Sequence, residues 1–415
     1  MGLRASEHKW NLLALYFVTL IMRASFYISI ASIQDPAYMG TGLELWAIGA
    51  VLVIYPFAEL ASVSFFGSYS DRIGRRPIFV GSLFITGAAA FLFAITPNII
   101  VLFLASAVFG IGAASKVSTT LSMIADMSDE HNRARLMGYY DLSTLFGLVG
   151  GFGLGVLLLT PEIGFTPFIV LASAGSACAV SGVIALLSIK ETREHIHVEI
   201  SIFRLLREVA SDRKIQQLIP VYVPIISMYG MLIGYAKIIL HDYFTLTAID
   251  MIILFGMLGG ALILGIIVMG HLSDYYMKRR PFIAFGLIGF GILAFLLVSN
   301  SGPGGIEALW SVWPLLPTFG FIAGAFPPAA MAYLTDVAAE DSRGTTMGVY
   351  SIFFGSGMII GPTLGGVAYG TYGLIGMAVL VAILIAVAIA GTYFMPEVRS
   401  EKTEKSLAEQ KLIDA

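Results

Sequence analysis

Arg23, Glu59 and Lys116 each stand inside a long apolar stretch of this 415-residue chain, where an ionisable side chain is costly. Within a hydrocarbon layer such groups face a cavity or pair with one another, and they mark solute and proton pathways. Helical spacing around Arg23 puts Tyr16, Thr19, Phe26 or Tyr27, and Ile30 on its face, a polar and aromatic stripe suited to a solute cavity. A structural pair with Glu59 is the other reading of Arg23. Glu59 is the one carboxylate well inside an apolar run. It stands about four residues, roughly 6 Å, from the centre of that run, at a depth similar to that of Lys116, so a Glu59–Lys116 pair competes with Glu59–Arg23. Burial favours a protonated carboxylate and a cationic neighbour favours the ionised one. A carboxylate that changes partners between conformations therefore takes up and releases a proton. Glu59 is either that coupling site or half of a permanent salt bridge. Asp141 is the second candidate, although its place at the start of an apolar run also suits a helix cap. Lys237 lies near the end of its run beside His241 and Asp242. It either snorkels to the interface or forms an outer gate with Asp35.

The elements that position these residues follow from composition. The chain is 57% hydrophobic and 12% charged, with a mean hydropathy of +0.86, which excludes a soluble globular protein. Helices of about 20 apolar residues are what a bilayer requires. Twelve such runs are expected: 10–34, 43–66, 77–96, 99–124, 137–158, 164–188, 215–241, 247–270, 281–299, 308–334, 345–368 and 373–395. The fold class expected is thus an all-α membrane protein of two pseudo-symmetric six-helix bundles, 1–189 and 215–396. A cytoplasmic linker, 190–214, joins them, and a cytoplasmic tail, 397–415, follows.

The two bundles are tandem copies. Asp126, Arg133, Met137, Gly138, Tyr140, Gly147, Gly151 and Gly155 meet the same residue types at a constant shift of 210, in Asp336, Arg343, Met347, Gly348, Tyr350, Gly357, Gly361 and Gly365. A parallel repeat in a membrane protein points to a transporter with its solute site between the halves. Of the 24 Lys and Arg, three (Arg23, Lys116 and Lys237) fall in apolar runs. The other 21 lie in the termini, the linker and alternate loops, while the opposite loops carry only acids such as Asp35, Glu44, Glu162, Asp250 and Glu307. Both termini are therefore expected in the cytoplasm.

Other chemistries find no support. No removable signal peptide is read at the N-terminus. Cys178 is the single cysteine, so neither a disulfide framework nor a cysteine-held metal is expected. Gly110 to Lys116 fails the spacing of a phosphate loop. No cofactor, metal or nucleic acid is expected, and no clustered catalytic constellation suggests an enzyme. Work must come from a gradient.

The loop after the second run reads Gly67-Ser-Tyr-Ser-Asp71-Arg72-Ile-Gly74-Arg75-Arg76-Pro77, and a degraded copy follows at Gly270-His-Leu-Ser-Asp274 to Pro281. This resembles the signature loop of the major facilitator superfamily, and the resemblance covers about residues 10–396. It implies alternating access by rocking bundles, with helices 1, 4, 7 and 10 lining the cavity. Tyr229, with Tyr222, Met228, Tyr235 and Phe326, then joins Arg23 and Lys116 as a cavity candidate. It also implies that Gly67 packs closely and that Asp71 latches the cytoplasmic side by accepting from the start of the eleventh helix. Arg72, Arg75 and Arg76 either share that role or are cytoplasmic anchors. The chain departs from family patterns twice: Ser106 stands where many members have Arg, and Phe152 where drug/proton antiporters have Pro. The complete Gly357-x-x-x-Gly361-Pro362-x-x-Gly365-Gly366 string falls in the eleventh run instead.

The function expected is a secondary active transporter in the cell membrane, acting as a monomer and moving a small organic solute with proton coupling, with a lean to an organic anion or amphiphile. The alternatives are a multidrug/proton antiporter, an uncoupled facilitator, or a solute sensor that does not transport.

Overall fold

A computed structural model of the protein describes residues 2–39, 45–127, 133–160, 163–192, 213–244, 246–276, 278–300, 305–337 and 343–395. All regular structure among them is helical, as a bilayer demands of backbone that must satisfy its own hydrogen bonds. The six long helices of the first half are α1 (Gly2–Ile33), α2 (Leu45–Ile73), α3 (Arg75–Ile95), α4 (Ile99–Asp126), α5 (Arg133–Leu158) and α6 (Pro167–Ser188), with one short turn of helix, Pro36–Met39, between the first two. After the expected linker, of which 193–212 lies outside the described residues, come α7 (Ile219–Phe244), α8 (Ala248–Tyr276) and α9 (Arg280–Ser299). Next, α10 runs in two pieces, Leu315–Ala323 and Phe326–Val337. Pro327 and Pro328 cannot donate to Ala323 and Gly324, so the break falls there. The last element, Arg343–Phe394, reverses at Gly373 (φ 59°, ψ −146°) into α11 (343–372) and α12 (374–394). The expected tail lies beyond the described residues.

Expectation and structure differ at element ends. Residues 305–311 form a separate short helix instead of opening the tenth run. The second run was expected to end at 66, but α2 continues to Ile73, and α8 likewise continues to Tyr276. Apolar runs measure the hydrocarbon layer, whereas helical hydrogen bonding carries on into the interface.

The repeated glycines explain the packing within each half. A Cβ at Gly147 would lie 2.7 Å from Arg23 Cβ, at Gly151 2.5 Å from Ala24 Cα, and at Gly155 3.0 Å from Ile28 Cα, so α5 presses onto α1 backbone to backbone. The same three steps recur where α11 meets α7: Gly357 against Ile226, Gly361 against Ser227, Gly365 against Met231. Without a hydrophobic drive between helices in lipid, such small-residue seams are how bundles close.

The halves meet through α2–α11 and α5–α8. Their contacts gather toward the end away from the chain termini. There Gln34 Nε2 donates to Ile233 O at 2.8 Å, Tyr235 OH donates to Pro362 O at 2.9 Å beside Gly49, and Phe152 meets Phe255 edge-on at 5.0 Å. Many large apolar side chains on the outer faces, among them Phe84, Ile100, Ile253 and Ile375, are exposed to the surrounding bilayer.

Candidate functional site

Close helix approach assembles a cluster of ionisable and aromatic groups in the first half. Gly147 brings α5 against Arg23 of α1, and Gly110 of α4 meets α2, where an added Cβ would lie 3.0 Å from Glu59 N. Arg23 NH1 donates to the Tyr55 hydroxyl at 3.3 Å. Tyr55 stands one turn from Glu59 and faces both charges. Lys116 is wholly buried, with its ammonium 4.7 Å from the centre of the Tyr140 ring, a cation–π contact. Its Nζ, like the Nε of Arg23, is buried with no acceptor among the described residues. Both expected pairings of Glu59 are corrected here: it forms no ion pair with Arg23 or Lys116 among the described residues, although it lies within electrostatic range of both.

Phe26, Tyr55 and Phe109 pack together beside this cluster at tilted and edge-on angles, with Phe26–Tyr55 and Phe26–Phe109 centroids 4.5 and 5.1 Å apart. Across the molecule, Tyr27 and Tyr229 join their hydroxyls at 3.2 Å, bridging α1 and α7. Of the expected cavity stripe, Tyr16 and Thr19 do other work in this state. Tyr16 OH donates to Leu136 O at 2.9 Å, pinning α1 to α5, and the buried Thr19 hydroxyl turns back to Leu15 O at 2.7 Å.

The glycine seams also define the register of the repeat. Arg23 corresponds to Ile226, a shift of 203, and the same shift takes Glu59 to Leu262, whose carbonyl lies 2.6 Å from the place of a Cβ on Gly324. The second half thus carries aliphatic residues where the first carries Arg23 and Glu59. Lys237 takes the register of Gln34, at the far end of α7. Its side chain lies outside the described residues, as do those of Asp71 and Asp141, so the Asp35–Lys237 gate, the Asp71 latch and the second proton candidate stand as expectations. Asp35 Oδ1 accepts from Ala37 N at 3.0 Å, and the neighbouring Gln34 makes the α1–α7 closure.

The sequence model of the Major Facilitator Superfamily matches residues 12–315 and, in an overlapping second match, 218–413. The chain belongs to the major facilitator superfamily. It is therefore a membrane transporter and not an enzyme. It is 24% identical over 344 residues to "Quinolone resistance protein NorA" of Staphylococcus aureus, covering 80% of this chain and 84% of that protein. It is 26% identical over 355 residues to "Multidrug resistance protein 1" of Bacillus subtilis (83% and 87% covered) and 29% identical over 325 residues to "Tetracycline resistance protein, class G" of Vibrio anguillarum (76% and 78%). Among solved structures, the nucleoside transporter NupG matches with a TM-score of 0.73 at 13% identity, over 93% of this chain and 99% of that one. A bacterial homolog of the human lysosomal transporter Spinster, inward-facing and occupied, also has a TM-score of 0.73, at 17% identity over 93% and 96%. These structures show the fold.

In this superfamily member the signature loop ties its own half together. Arg75 is fully buried and bonds Asp126 at the end of α4, Nε to Oδ2 at 2.5 Å, with Thr192 Oγ1 donating to the same oxygen at 3.2 Å. The Glu191 carboxylate accepts from Arg75 N and Arg76 N, at 3.0 and 3.2 Å, and so caps the start of α3. Gly74, at φ 122°, makes the turn between α2 and α3, and a Cβ there would lie 2.6 Å from Glu191 Oε2. Arg76 NH2 donates to Leu186 O near the end of α6. Its counterpart Arg280 donates to Tyr393 O near the end of α12, at 3.2 Å. Arg75 is thus far from a plain surface anchor. In the degraded copy Asp274 is exposed and pairs with Arg279 of its own loop at 2.5 Å. Gly67 O accepts from Ser70 Oγ at 2.8 Å, and Arg72 is exposed. Ser106 donates to the Val51 carbonyl of α2. Sequence reading missed Tyr55, Tyr140, Glu191 and Thr192 as partners. Tyr55 was findable at one turn from Glu59, and Asp126 stood in the repeat.

Proposed function

We propose that this transporter carries an amphiphilic organic solute with an anionic group and couples its movement to protons through Glu59. The observation that carries the reading is one site on α1, α2 and α4 where Arg23, Lys116 and Glu59 lie within reach of each other's charge and none is ion-paired among the described residues. Groups left in this condition change partners as solute and proton arrive. The aromatic cluster around Tyr55 suits an apolar solute body.

The distribution of Lys and Arg supports cytoplasmic termini in a cell membrane. On that reading the closure through Gln34, Tyr27 and Tyr229 seals the outer side, and the molecule faces inward. Transport then requires α1 and α7 to part at those contacts while the cytoplasmic side closes, with Asp71 as the latch and the monomer as the working unit. A second reading, a drug/proton antiporter, is supported by relatives named for resistance to quinolones, tetracycline and multiple drugs.

The test is reconstitution in vesicles with and without an imposed pH gradient. Glu59→Gln is expected to abolish gradient-driven accumulation while solute exchange without a gradient survives. A well-folded Glu59→Gln protein that still concentrates solute in response to the gradient removes Glu59 as the proton site. The sign of the gradient that drives accumulation separates co-transport from antiport.

A further inference from the structure

We propose that Arg23 Nε and Lys116 Nζ form a two-cation seat for one carboxylate or similar oxyanion of the solute, and that filling the seat draws a proton from solvent onto Glu59. The inference rests on the reading of this cluster as the solute and proton site, and it names the solute chemistry.

Lys116 is fully buried, and among the described residues its ammonium meets the face of Tyr140 and no hydrogen-bond acceptor. A buried cation without an acceptor is a large uncompensated cost. Arg23 is half satisfied: NH1 is held by Tyr55, and Nε is sealed without an acceptor. The two side chains come from α1 and α4 and lie within each other's field, so each makes the other's position less favourable. One oxyanion between them relieves both penalties, since charge-assisted hydrogen bonds are the strong kind. Glu59 does not occupy that position, and its one-turn neighbour Tyr55 helps to hold it aside. In register, the second half has Ile226 where the seat has Arg23.

The proton follows from the same charges. Among the described residues, the titratable and charged groups facing Glu59 are Arg23 and Tyr27 of α1, Tyr55 of its own helix and Lys116 of α4. Arg23 and Lys116 lie within electrostatic range of the Glu59 carboxylate. A solute carboxylate on those cations offsets their charge and adds a like one, which favours proton binding nearby. Binding of anion and proton are therefore positively coupled, each strengthening the other equally.

The experiment uses the full-length protein in nanodiscs with three carboxylates of increasing size, benzoate, salicylate and cholate, each against its uncharged amide. Calorimetry in two buffers of different ionisation enthalpy counts the protons taken up. At least one carboxylate is expected to bind about tenfold or more tightly than its amide, an effect the size of one charge-assisted bond. Lys116→Met and Arg23→Gln should each remove that preference. Glu59→Gln should keep or tighten carboxylate binding and abolish proton uptake. Lys116→Met discards an unsatisfied buried charge, so it should melt at or above wild type, which separates lost binding from lost folding. Carboxylates that bind no better than their amides, or a Lys116→Met protein with undiminished preference, would overturn the seat. So would a Lys116→Met protein that melts lower than wild type, because Lys116 would then be structural. Coupling through Glu59 fails separately, in the vesicle assay, and can fail with the seat intact.

Discussion

Arg75 and Arg23 bury guanidinium nitrogens in the same half and are satisfied in different ways. Arg75 has a full carboxylate partner in Asp126, both nearly inaccessible. Removing one member of such a pair strands the other, at a cost of about 3–5 kcal/mol. Arg75→Ala should therefore melt well below wild type in detergent. An unchanged melting temperature would show that the pair adds nothing. Among the described residues, Arg23 bonds only the neutral Tyr55 hydroxyl, so Arg23→Ala should cost stability much less and solute binding much more. Arg23→Lys tests geometry: it keeps the charge and loses the planar fork. It is expected to bind a carboxylate solute nearly as poorly as Arg23→Ala. Full rescue by Lys would make Arg23 a point charge and remove the oxyanion reading.

At the scale of elements, the seams α1–α5 and α7–α11 set how closely the helices approach, and neighbouring glycines differ sharply in what they permit. A Cβ at Gly361 would lie 2.0 Å from Ser227 O, and one at Gly151 2.5 Å from Ala24 Cα, whereas at Gly153 nothing lies within 4 Å. Gly151→Ala and Gly361→Ala should each destabilise by about 1–3 kcal/mol through overpacking. Gly153→Ala should instead stabilise by about 0.5–1 kcal/mol, since alanine is the better helix former. Thermal melts of the three variants side by side check this. Equal effects at Gly151 and Gly153 would refute the close approach. A shift in the α1–α5 seam would also displace Arg23 from Tyr55.

For the molecule as a whole, the closure at the end away from the termini must open once per cycle. Gln34 and Ile233 meet there across the halves. In a Cys178→Ala background, Gln34→Cys with Ile233→Cys should be joined by a short bifunctional thiol reagent. Joining them should stop transport, and reduction should restore it. Full transport by the joined protein would mean that α1 and α7 do not separate at this level.

Residue types and their spacing by themselves determined the membrane class, the twelve helices, the tandem repeat and the superfamily, because each is a property of runs of residues: apolar length set by bilayer thickness, and glycines recurring at a fixed shift. They also singled out Arg23, Glu59 and Lys116, since a charge in an apolar run is conspicuous without any coordinates. Which charges pair was decided only by tertiary structure. Arg75 was ambiguous as one basic residue among several in a loop. It became a buried partner of Asp126 because the start of α3 lies beside the end of α4, 51 positions apart in sequence. Glu59 looked ready to pair with either cation at similar depth. Depth along a helix says nothing of azimuth, and the rotation of α2 against α4, fixed where Gly110 meets the backbone at Tyr55 and Glu59, leaves the carboxylate beside both cations and bonded to neither.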